Sequence, residues 1–298
     1  MESAKKPRKA TLNRREFLVG TGIATAGLLA TAPSAAARRA DKPIATQLRK
    51  LGKSGLRTTV LGIGTGTHAW DKNSDQIRAG HQAFVDNLVH AYDRGLRFFD
   101  LADMYGSHQF MAKALVQGKM DRKKLLIMTK SVSKDADAMR KDIDRFRTEL
   151  GTDYIDLLLL HCMTAGTWAE DLKPCMEVLA EAKAKGHIRA HGVSCHNLDA
   201  MKVAAAHPWV DVMLNRINPF TEKMDGTIDE VVEVLKTGHA NGKGMIGMKI
   251  CGEGKYAQRM QESVKFVMGL GCIDIMTIGF IKPQEVDGAI DTIQSALA

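Results

Sequence analysis

The sequence is poor in cysteine, proline and aromatic residues. It has 5 cysteines and 7 prolines in 298 residues, and aromatic residues make up 5%. An odd number of cysteines cannot be fully paired, and the chain contains no C-x-x-C pair, so a disulfide-stapled miniprotein is excluded. A hydrophobic fraction of 45% excludes wholesale disorder. What remains is an ordinary globular composition, long enough for one large domain or two average ones.

The sequence also lacks a convincing membrane span. The uncharged run Phe17–Ala32 is shorter than the ~20 residues that a span usually needs, and its glycines make it a poor buried helix. Basic residues precede the run, and the small residues of Pro33–Ala37 follow it, which is the pattern of a secretory signal. The segment Asn13–Leu18 contains Arg-Arg and resembles the twin-arginine export motif. We therefore predict a twin-arginine-type signal peptide at residues 1–37.

Net charge gives little support for a polyanionic partner. The whole chain carries a formal charge of +8, but residues 1–37 hold six basic and two acidic residues. The remainder therefore has a charge of only +4. It shows no stripe of Arg and Lys interleaved with aromatic residues, so we expect no nucleic-acid partner.

Residues 38–298 repeat one pattern, a short apolar run followed by an amphipathic segment. The runs are Thr59–Ile63, Leu96–Phe99, Leu125–Thr129, Ile155–Leu160, Ile188–Val193, Val210–Leu214, Met245–Ile250 and Ile273–Ile278. The clearest helical segments are Ala136–Leu150, Leu172–Lys185, Ile228–Ala240 and Pro283–Leu297. Alternating strands and helices predict parallel strands with crossover helices. Repeats of roughly 33 residues match the ~250-residue (β/α)₈ TIM barrel.

An open doubly wound sheet is the competing fold. Its fingerprint is G-x-G-x-x-G opening a helix, whereas Gly62–Thr67 lacks the third glycine and opens no helix directly. We interpret this run as a glycine cluster in the first loop of a barrel. The glycines and alternation of Lys50–Arg57 predict an N-terminal hairpin that covers the bottom of the barrel. No long linker divides residues 46–298, which predicts a single barrel domain over residues 38–298.

Polar residues follow three consecutive predicted strands. Asp100 ends the second strand and is followed by Tyr105, Lys130 ends the third strand, and His161 ends the fourth. Side chains at the carboxyl ends of barrel strands meet around one pocket. A lysine ammonium beside a phenol favours the phenolate and is expected to lower the pKa of Tyr105. Such a group can exchange a proton with a carbonyl oxygen, with hydride from a nicotinamide as the matching nucleophile.

Each of these residues also has a plainer interpretation. Asp100 alone could cap a helix, Tyr105 could be a rim aromatic, Lys130 a solvated base and His161 a core histidine. Their occurrence at three successive strand ends favours the catalytic interpretation.

Three segments carry a resemblance to a known family. Phe99–Gly106 contains D-x-A-x-x-Y-G, Leu150–His161 ends on a histidine after an apolar strand, and Gly192–Ser194 reads G-V-S. Together they resemble the aldo/keto reductase superfamily across residues 46–298. The resemblance implies a (β/α)₈ barrel that reduces aldehydes and ketones with NADP(H), less often NAD(H). The implied catalytic residues are Asp100, Tyr105, Lys130 and His161.

The resemblance also implies cofactor contacts. These are Gly64, Thr65, Gly66, Asp100, Ser194, Cys195, Asn215, Met248, Lys249, Cys251, Gly279, Gln284 and Asp287. Cys195 stands where the family usually has Asn, Asn215 where Gln is common, and Met248 where an aromatic ring stacks on the nicotinamide. The loop 279–282 lacks the Lys-Ser pair that often holds a 2′-phosphate. The expected cofactor is therefore NADP, with NAD also possible.

Three cysteines follow predicted strands, namely Cys162, Cys195 and Cys251. A thiolate metal or redox site is one interpretation. Because no C-x-x-C pair accompanies them, we favour small residues that fill a tight cofactor cleft, and we expect no metal.

The sequence thus predicts an NAD(P)H-dependent oxidoreductase that acts on a small carbonyl substrate. The alternative is an exported dinucleotide-binding sensor or partner subunit with little turnover, because free cofactor is expected to be scarce outside the cytoplasm. A barrel isomerase or lyase is a weaker third option. The signal predicts the twin-arginine export machinery as a partner and a periplasmic location, without a permanent membrane span.

Overall fold

The computed structural model describes residues 42–298. The predicted signal peptide, with residues 38–41 of the predicted barrel domain, lies outside the described residues. Ten strands are present: β1 Leu48–Lys50, β2 Arg57–Thr59, β3 Leu61–Gly64, β4 Phe98–Asp100, β5 Leu126–Ser131, β6 Ile155–Met163, β7 Ile188–Cys195, β8 Val212–Arg216, β9 Gly244–Met248 and β10 Ile275–Gly279. Within residues 42–298, no helix is both long and apolar enough to cross a membrane.

Strands β3 to β10 close into a parallel barrel in sequence order, with β10 beside β3. Each of the eight predicted apolar runs overlaps one of these strands, so the predicted (β/α)₈ barrel is confirmed. The glycine cluster follows the prediction in part. Gly62 and Gly64 belong to β3 rather than to the loop, whereas Gly66 follows the strand, and the next helix begins only at Asp75.

Helices surround the barrel between its strands. They are α1 Asp75–Arg78, α2 His81–Asp93, α3 His108–Gln117, α4 Ala136–Leu150, α5 Trp168–Asp171, α6 Lys173–Ala184, α7 Leu198–Ala206, α8 Ile228–Ala240, α9 Met260–Gly269 and α10 Pro283–Leu297. Local signals explain the well-predicted boundaries. Asp135 caps α4 and Gly151 ends it in a left-handed conformation, while Thr227 and Glu230 form a capping box at α8.

Two apolar layers hold the fold together. The outer layer lies between strands and helices, and it contains most of the buried hydrophobic residues. The inner layer fills the barrel with Leu51, Leu56, Phe98, Leu126, Met128, Leu157, Leu159, Ala190, Val212, Leu214, Ile246, Met248 and Ile275. Alternate residues of each strand therefore point inward. This alternation decides which side chains reach the mouth of the barrel.

The N-terminal hairpin closes the bottom of the barrel, as predicted. β1 and β2 pair antiparallel, and Leu51 and Leu56 between them belong to the inner layer. The Gly52 amide donates to Asp274 just before β10, at 3.1 Å. Gly52 has a φ of +51°, and a Cβ there would lie 2.4 Å from the Gly244 nitrogen. The close approach explains why glycine occupies the tip of the hairpin.

Candidate active site

The four predicted catalytic residues meet at the carboxyl ends of neighbouring strands. Asp100 ends β4, Lys130 lies near the end of β5, and His161 lies in β6. All three continue the inward-facing row of their strand, after Phe98, Met128 and Leu159 respectively. Tyr105 comes from the 3₁₀ turn that follows β4.

Lys130 is the centre of this group. Its ammonium donates to the Asp100 carboxylate, to the Leu101 carbonyl at 2.8 Å, and to the Tyr105 hydroxyl at 3.4 Å. Its side chain is fully buried. The ion pair and the two further bonds compensate a charge that would otherwise be very unfavourable in this position.

The ionisation of Tyr105 differs from the sequence-based expectation. Burial raises the pKa of the Tyr105 phenol well above its usual value, and the negative charge of Asp100 raises it further. The predicted lowering of this pKa by Lys130 was therefore wrong, because burial and the Asp100 charge dominate. Tyr105 stays protonated at neutral pH, so it can donate a proton.

His161 faces Tyr105 edge-on. The two ring centroids are 5.6 Å apart with an interplanar angle of 82°. Burial and the nearby Lys130 charge hold the pKa of His161 well below its usual value. The ring is therefore neutral, and its buried Nδ1 has no partner among the described residues. A neutral imidazole can hydrogen-bond a substrate oxygen without competing for the proton.

A β-bulge in β6 orients His161. The register between β6 and β7 shifts between Leu160 and Met163, and Cys162 has a φ of +62°. The Cys162 amide donates to the Ser194 hydroxyl at 2.8 Å. Bulges next to active sites commonly re-aim a side chain. Ser194 therefore fixes the backbone behind His161, and its own hydroxyl proton stays available for another acceptor.

A cavity of about 940 Å³ opens beside Asp100 and Tyr105. Several predicted cofactor residues line it, namely Gly64, Gly66, Asp100, Met248, Lys249, Cys251 and Gly279. A Cβ at Gly66 would lie 2.4 Å from the Tyr105 ring, and one at Gly279 would lie 2.2 Å from the Thr67 hydroxyl. The glycines thus keep the cavity open next to Tyr105.

Four predicted contacts in or directly after strands lie away from the cavity lining, namely Thr65, Ser194, Cys195 and Asn215. Thr65 bonds through its amide and hydroxyl to the Asp100 carbonyl, which extends the β3–β4 ladder. Cys195 follows the inward-facing Ser194 and packs in the outer layer. Asn215 follows the inward-facing Leu214, and its buried amide has no partner among the described residues. Strand alternation places Arg216 at the mouth instead.

Two predicted contacts on α10 also miss the cavity. Gln284 is exposed, and Asp287 pairs with His90 and Arg94 on the opposite side of the helix. The α10 residues that line the cavity are instead Glu285, Gly288, Ala289 and Thr292. These four residues lie on one face of the helix. The predicted bounds of α10 did not show which face would point to the cavity. Thr277 on β10 was also missed, although it continues the inward row after Ile275.

The three strand-end cysteines do not converge on one site. Cys162 is half-buried, Cys195 lies in the outer layer, and Cys251 borders the cavity. Burial raises the pKa of the Cys162 and Cys195 thiols and brings that of Cys251 to about 11. Thiolates are therefore disfavoured at all three positions.

One group of metal-ligating atoms is present among the described residues. Asp103, His108 and Glu149 offer atoms within 4.8 Å of one another. The Arg145 guanidinium bonds both carboxylates, and both nitrogens of His108 have partners. The ligand atoms of this group are therefore already occupied by hydrogen bonds and ion pairs within the chain.

The cavity can accommodate a nucleotide cofactor. The Thr277 hydroxyl is buried, borders the cavity and has no partner among the described residues. Lys223, Lys249 and Lys255 also border it. Lys249 is paired with Glu253 and Lys255 with Glu222 in the same lining. The unpartnered hydroxyl and the glycines at close approach suit a large polar ligand.

The family profile described as "Aldo/keto reductase family" matches residues 60–267. The chain therefore belongs to the aldo/keto reductase family. It is 32% identical over 107 residues to the NAD/NADP-dependent indole-3-acetaldehyde reductase of Schizosaccharomyces pombe, which covers 36% of each chain. It is 25% identical over 201 residues to L-galactose dehydrogenase of Arabidopsis thaliana, covering 64% of this chain and 57% of that protein. These matches span about a third to just over half of the relatives' length.

Solved structures share the fold. A protein assigned to the aldo-keto reductases from Pseudomonas aeruginosa superposes with a TM-score of 0.71 at 23% identity, covering 86% of this chain and 98% of that one. An aldo-keto reductase of Bacillus halodurans gives a TM-score of 0.68 at 16% identity, with coverages of 83% and 91%. At these identities the likeness establishes the barrel and no finer property.

Proposed function

We propose that the protein is an NAD(P)H-dependent reductase of a small aldehyde or ketone. The observation that carries this proposal is the convergence of Tyr105, Lys130, Asp100 and His161 beside a cavity. Membership of a family of reductases supports it. So do the names of two partial relatives, an indole-3-acetaldehyde reductase and a methylglyoxal reductase of Yersinia pestis.

The chain's own residues account for the proton chemistry. Tyr105 donates its hydroxyl proton to the carbonyl oxygen as negative charge develops there. The Lys130 ammonium stabilises the resulting phenolate and is held in place by Asp100, and neutral His161 orients the oxygen by a hydrogen bond. A bound reduced nicotinamide would supply the hydride to the carbonyl carbon.

Of the residues that would hold that cofactor, Met248 and Thr277 border the cavity, whereas Ser194 lies outside its lining. Ser194 would offer its hydroxyl to the carboxamide, Met248 would cover the nicotinamide ring, and Thr277 would bond the ligand through its free hydroxyl. The resemblance puts the adenosine near the start of α10. There Glu285 borders the cavity and accepts from the Ile281 amide at 2.7 Å. A carboxylate at this point would repel a 2′-phosphate, so we propose that NADH binds at least as tightly as NADPH.

Substitution of the acid tests the mechanism. Tyr105→Phe should lower kcat by a factor of about 10² to 10⁴, since it removes the general acid. Cofactor affinity, followed by fluorescence titration with NADH and NADPH, should change little. The readout is carbonyl-dependent oxidation of NADH or NADPH across small aldehydes and ketones.

Two outcomes would overturn parts of the proposal. Wild-type turnover in Tyr105→Phe would remove Tyr105 from the mechanism. Tight dinucleotide binding by the wild-type protein, with no carbonyl-dependent oxidation across the panel, would instead favour the sensor or partner subunit.

A further inference from the structure

A polar network outside the barrel reaches the turn that carries Tyr105. Arg145 on α4 donates to both carboxylate oxygens of Asp103, Nη1 to Oδ1 at 2.8 Å and Nη2 to Oδ2 at 2.9 Å. Asp103 begins the 3₁₀ turn that ends at Tyr105. A bidentate Arg–carboxylate pair restricts orientation as well as distance. The turn is thereby tied to α4.

The same helix reaches the other side of Tyr105 through a histidine. His108 at the start of α3 is buried, with its Nδ1 2.6 Å from Glu149 of α4 and its Nε2 2.6 Å from the Thr129 hydroxyl. Thr129 precedes Lys130 on β5. The network therefore touches the residue before the catalytic lysine and residues on both sides of the catalytic tyrosine.

Two cations compensate the carboxylates of this network, since Lys72 lies 3.2 Å from Asp103 in addition to Arg145. Arg145 also bonds Glu149 at 2.9 Å and Asp142 at 2.7 Å. The hydrogen bond from His108 is the main reason that the pKa of Glu149 lies below its usual value. Burial alone would raise the pKa of Asp103, but its interactions with Arg145 and then Lys72 more than offset this and lower it. Both carboxylates therefore remain charged at neutral pH.

We propose that Arg145 and His108 are positioning residues that hold the hydroxyl of Tyr105 against Lys130 and His161. The inference rests on the proposed function, because it gives these residues a role in proton donation by Tyr105. Neither residue borders the cavity, so each acts through the backbone of the tyrosine turn or of β5. A displacement of about 1 Å at a reacting group can lower a rate about 10²-fold.

The test compares two substitutions on one helix. Arg145→Met removes the clamp on Asp103. Arg147→Met, its matched control, removes an ion pair to Asp144 and a bond to the Asp153 carbonyl. We expect Arg145→Met to lower kcat about 10- to 100-fold with unchanged Kd for NADH, and Arg147→Met to leave kcat within twofold of wild type.

A second readout is independent of turnover. The ionisation of Tyr105 is followed by phenolate absorbance, with Tyr105→Phe versions of each protein subtracted. Loosening the turn exposes the phenol, so its pKa should move towards the ordinary value in Arg145→Met and not in Arg147→Met. Arg145→Lys keeps the charge but not the bidentate geometry, and it should give an intermediate kcat. It also replaces Arg145→Met if that variant does not fold.

The two proposals fail in different ways. If wild-type protein reduces no carbonyl, the proposed function fails, while the phenol titration still reports on positioning. If Arg145→Met and Arg147→Met have the same kcat and the same pKa of Tyr105, the positioning role is overturned. If His108→Gln shifts the pKa of Tyr105 as much as Arg145→Met does, the positioning role of His108 is supported. An unchanged pKa of Tyr105 in His108→Gln would exclude His108 from this role.

Discussion

At the scale of single residues, Lys130 shows how the site constrains the fold. Its ammonium has no access to solvent and depends on Asp100 and the Leu101 carbonyl. A buried ion pair contributes little net stability as a pair, but the loss of one partner leaves an uncompensated charge. Catalytic geometry and stability are therefore coupled at this position.

Lys130→Met should consequently destabilise the protein as well as inactivate it. We expect the free energy of unfolding to fall by about 3–5 kcal/mol, because Asp100 remains buried without a counter-charge. Denaturant unfolding measures this value. The control is Asp100→Asn combined with Lys130→Met, which removes both charges and should be more stable than Lys130→Met alone. A double variant as unstable as the sum of the single changes would contradict this account.

A buried histidine makes stability depend on pH. Burial and the nearby positive charge of Arg216 lower the pKa of His196 to about 4, whereas an unfolded histidine titrates near ~6.5. Between these values the unfolded chain binds a proton that the folded chain does not. The contribution of His196 to the free energy of unfolding therefore decreases as the pH falls from about 6.5 to about 4, by up to about 1.4 kcal/mol per pH unit.

His196→Asn should flatten the pH dependence of stability in that window. The free energy of unfolding is measured by denaturant at a series of pH values. Its slope against pH between about pH 4 and 6.5 should be smaller than that of the wild type by up to about 1.4 kcal/mol per pH unit. Above about pH 7 the histidine is neutral in both states, so the same variant should show the wild-type slope there. An unaltered slope at acidic pH would rule out His196 as a contributor.

At the scale of elements, the bulge in β6 is the feature that orients His161. Cys162 adopts a left-handed conformation that is unfavourable for most side chains, especially β-branched ones. Its amide bonds Ser194, and its thiol lies 3.8 Å from His196. The backbone conformation, rather than the thiol, is what the geometry of the site requires.

Two substitutions at this position separate backbone from thiol. Cys162→Gly accepts the left-handed conformation and should retain turnover close to wild type. Cys162→Val should be less stable than Cys162→Gly by about 1–2 kcal/mol and should have a lower kcat, because the bulge must shift. Thermal unfolding and steady-state kinetics measure both effects. Loss of turnover in Cys162→Gly would show that the sulfur itself is needed.

Element boundaries were predictable where the sequence carries a local signal. The predicted segments 136–150 and 283–297 coincide with α4 and α10, and the structure shows the Asp135 cap, Gly151 and Pro283 at their boundaries. Three of the predicted catalytic residues, Asp100, Lys130 and His161, were equally predictable, since each continues the inward-facing row after an apolar run. The side of an element that faces the ligand was harder to predict. The family resemblance implies cofactor contacts at Gln284 and Asp287, whereas Glu285 and Gly288 are the residues that border the cavity.

At the scale of the whole molecule, the repeated strand-and-helix pattern was sufficient to predict the closed barrel. Each unit buries one strand on both faces, and such units close on themselves when eight are present. The network around Arg145 could not be predicted, because it joins α3, α4, β5 and the tyrosine turn through contacts distant in sequence. The partnerless buried amide of Asn215 was equally inaccessible without three-dimensional packing.

The proposed export of the whole chain gives a prediction that links location to cofactor. Twin-arginine export moves folded proteins, so a dinucleotide bound in the cytoplasm would travel with the barrel. Arg14→Lys with Arg15→Lys should keep the full-length chain in the cytoplasm, while the wild-type chain should reach the periplasm without residues 1–37. Cell fractionation with mass spectrometry measures location and cleavage, and native mass spectrometry of the periplasmic fraction should show bound dinucleotide. Equal export of the double variant would exclude this route, and nucleotide-free periplasmic protein would mean that the cofactor is acquired after export or not at all.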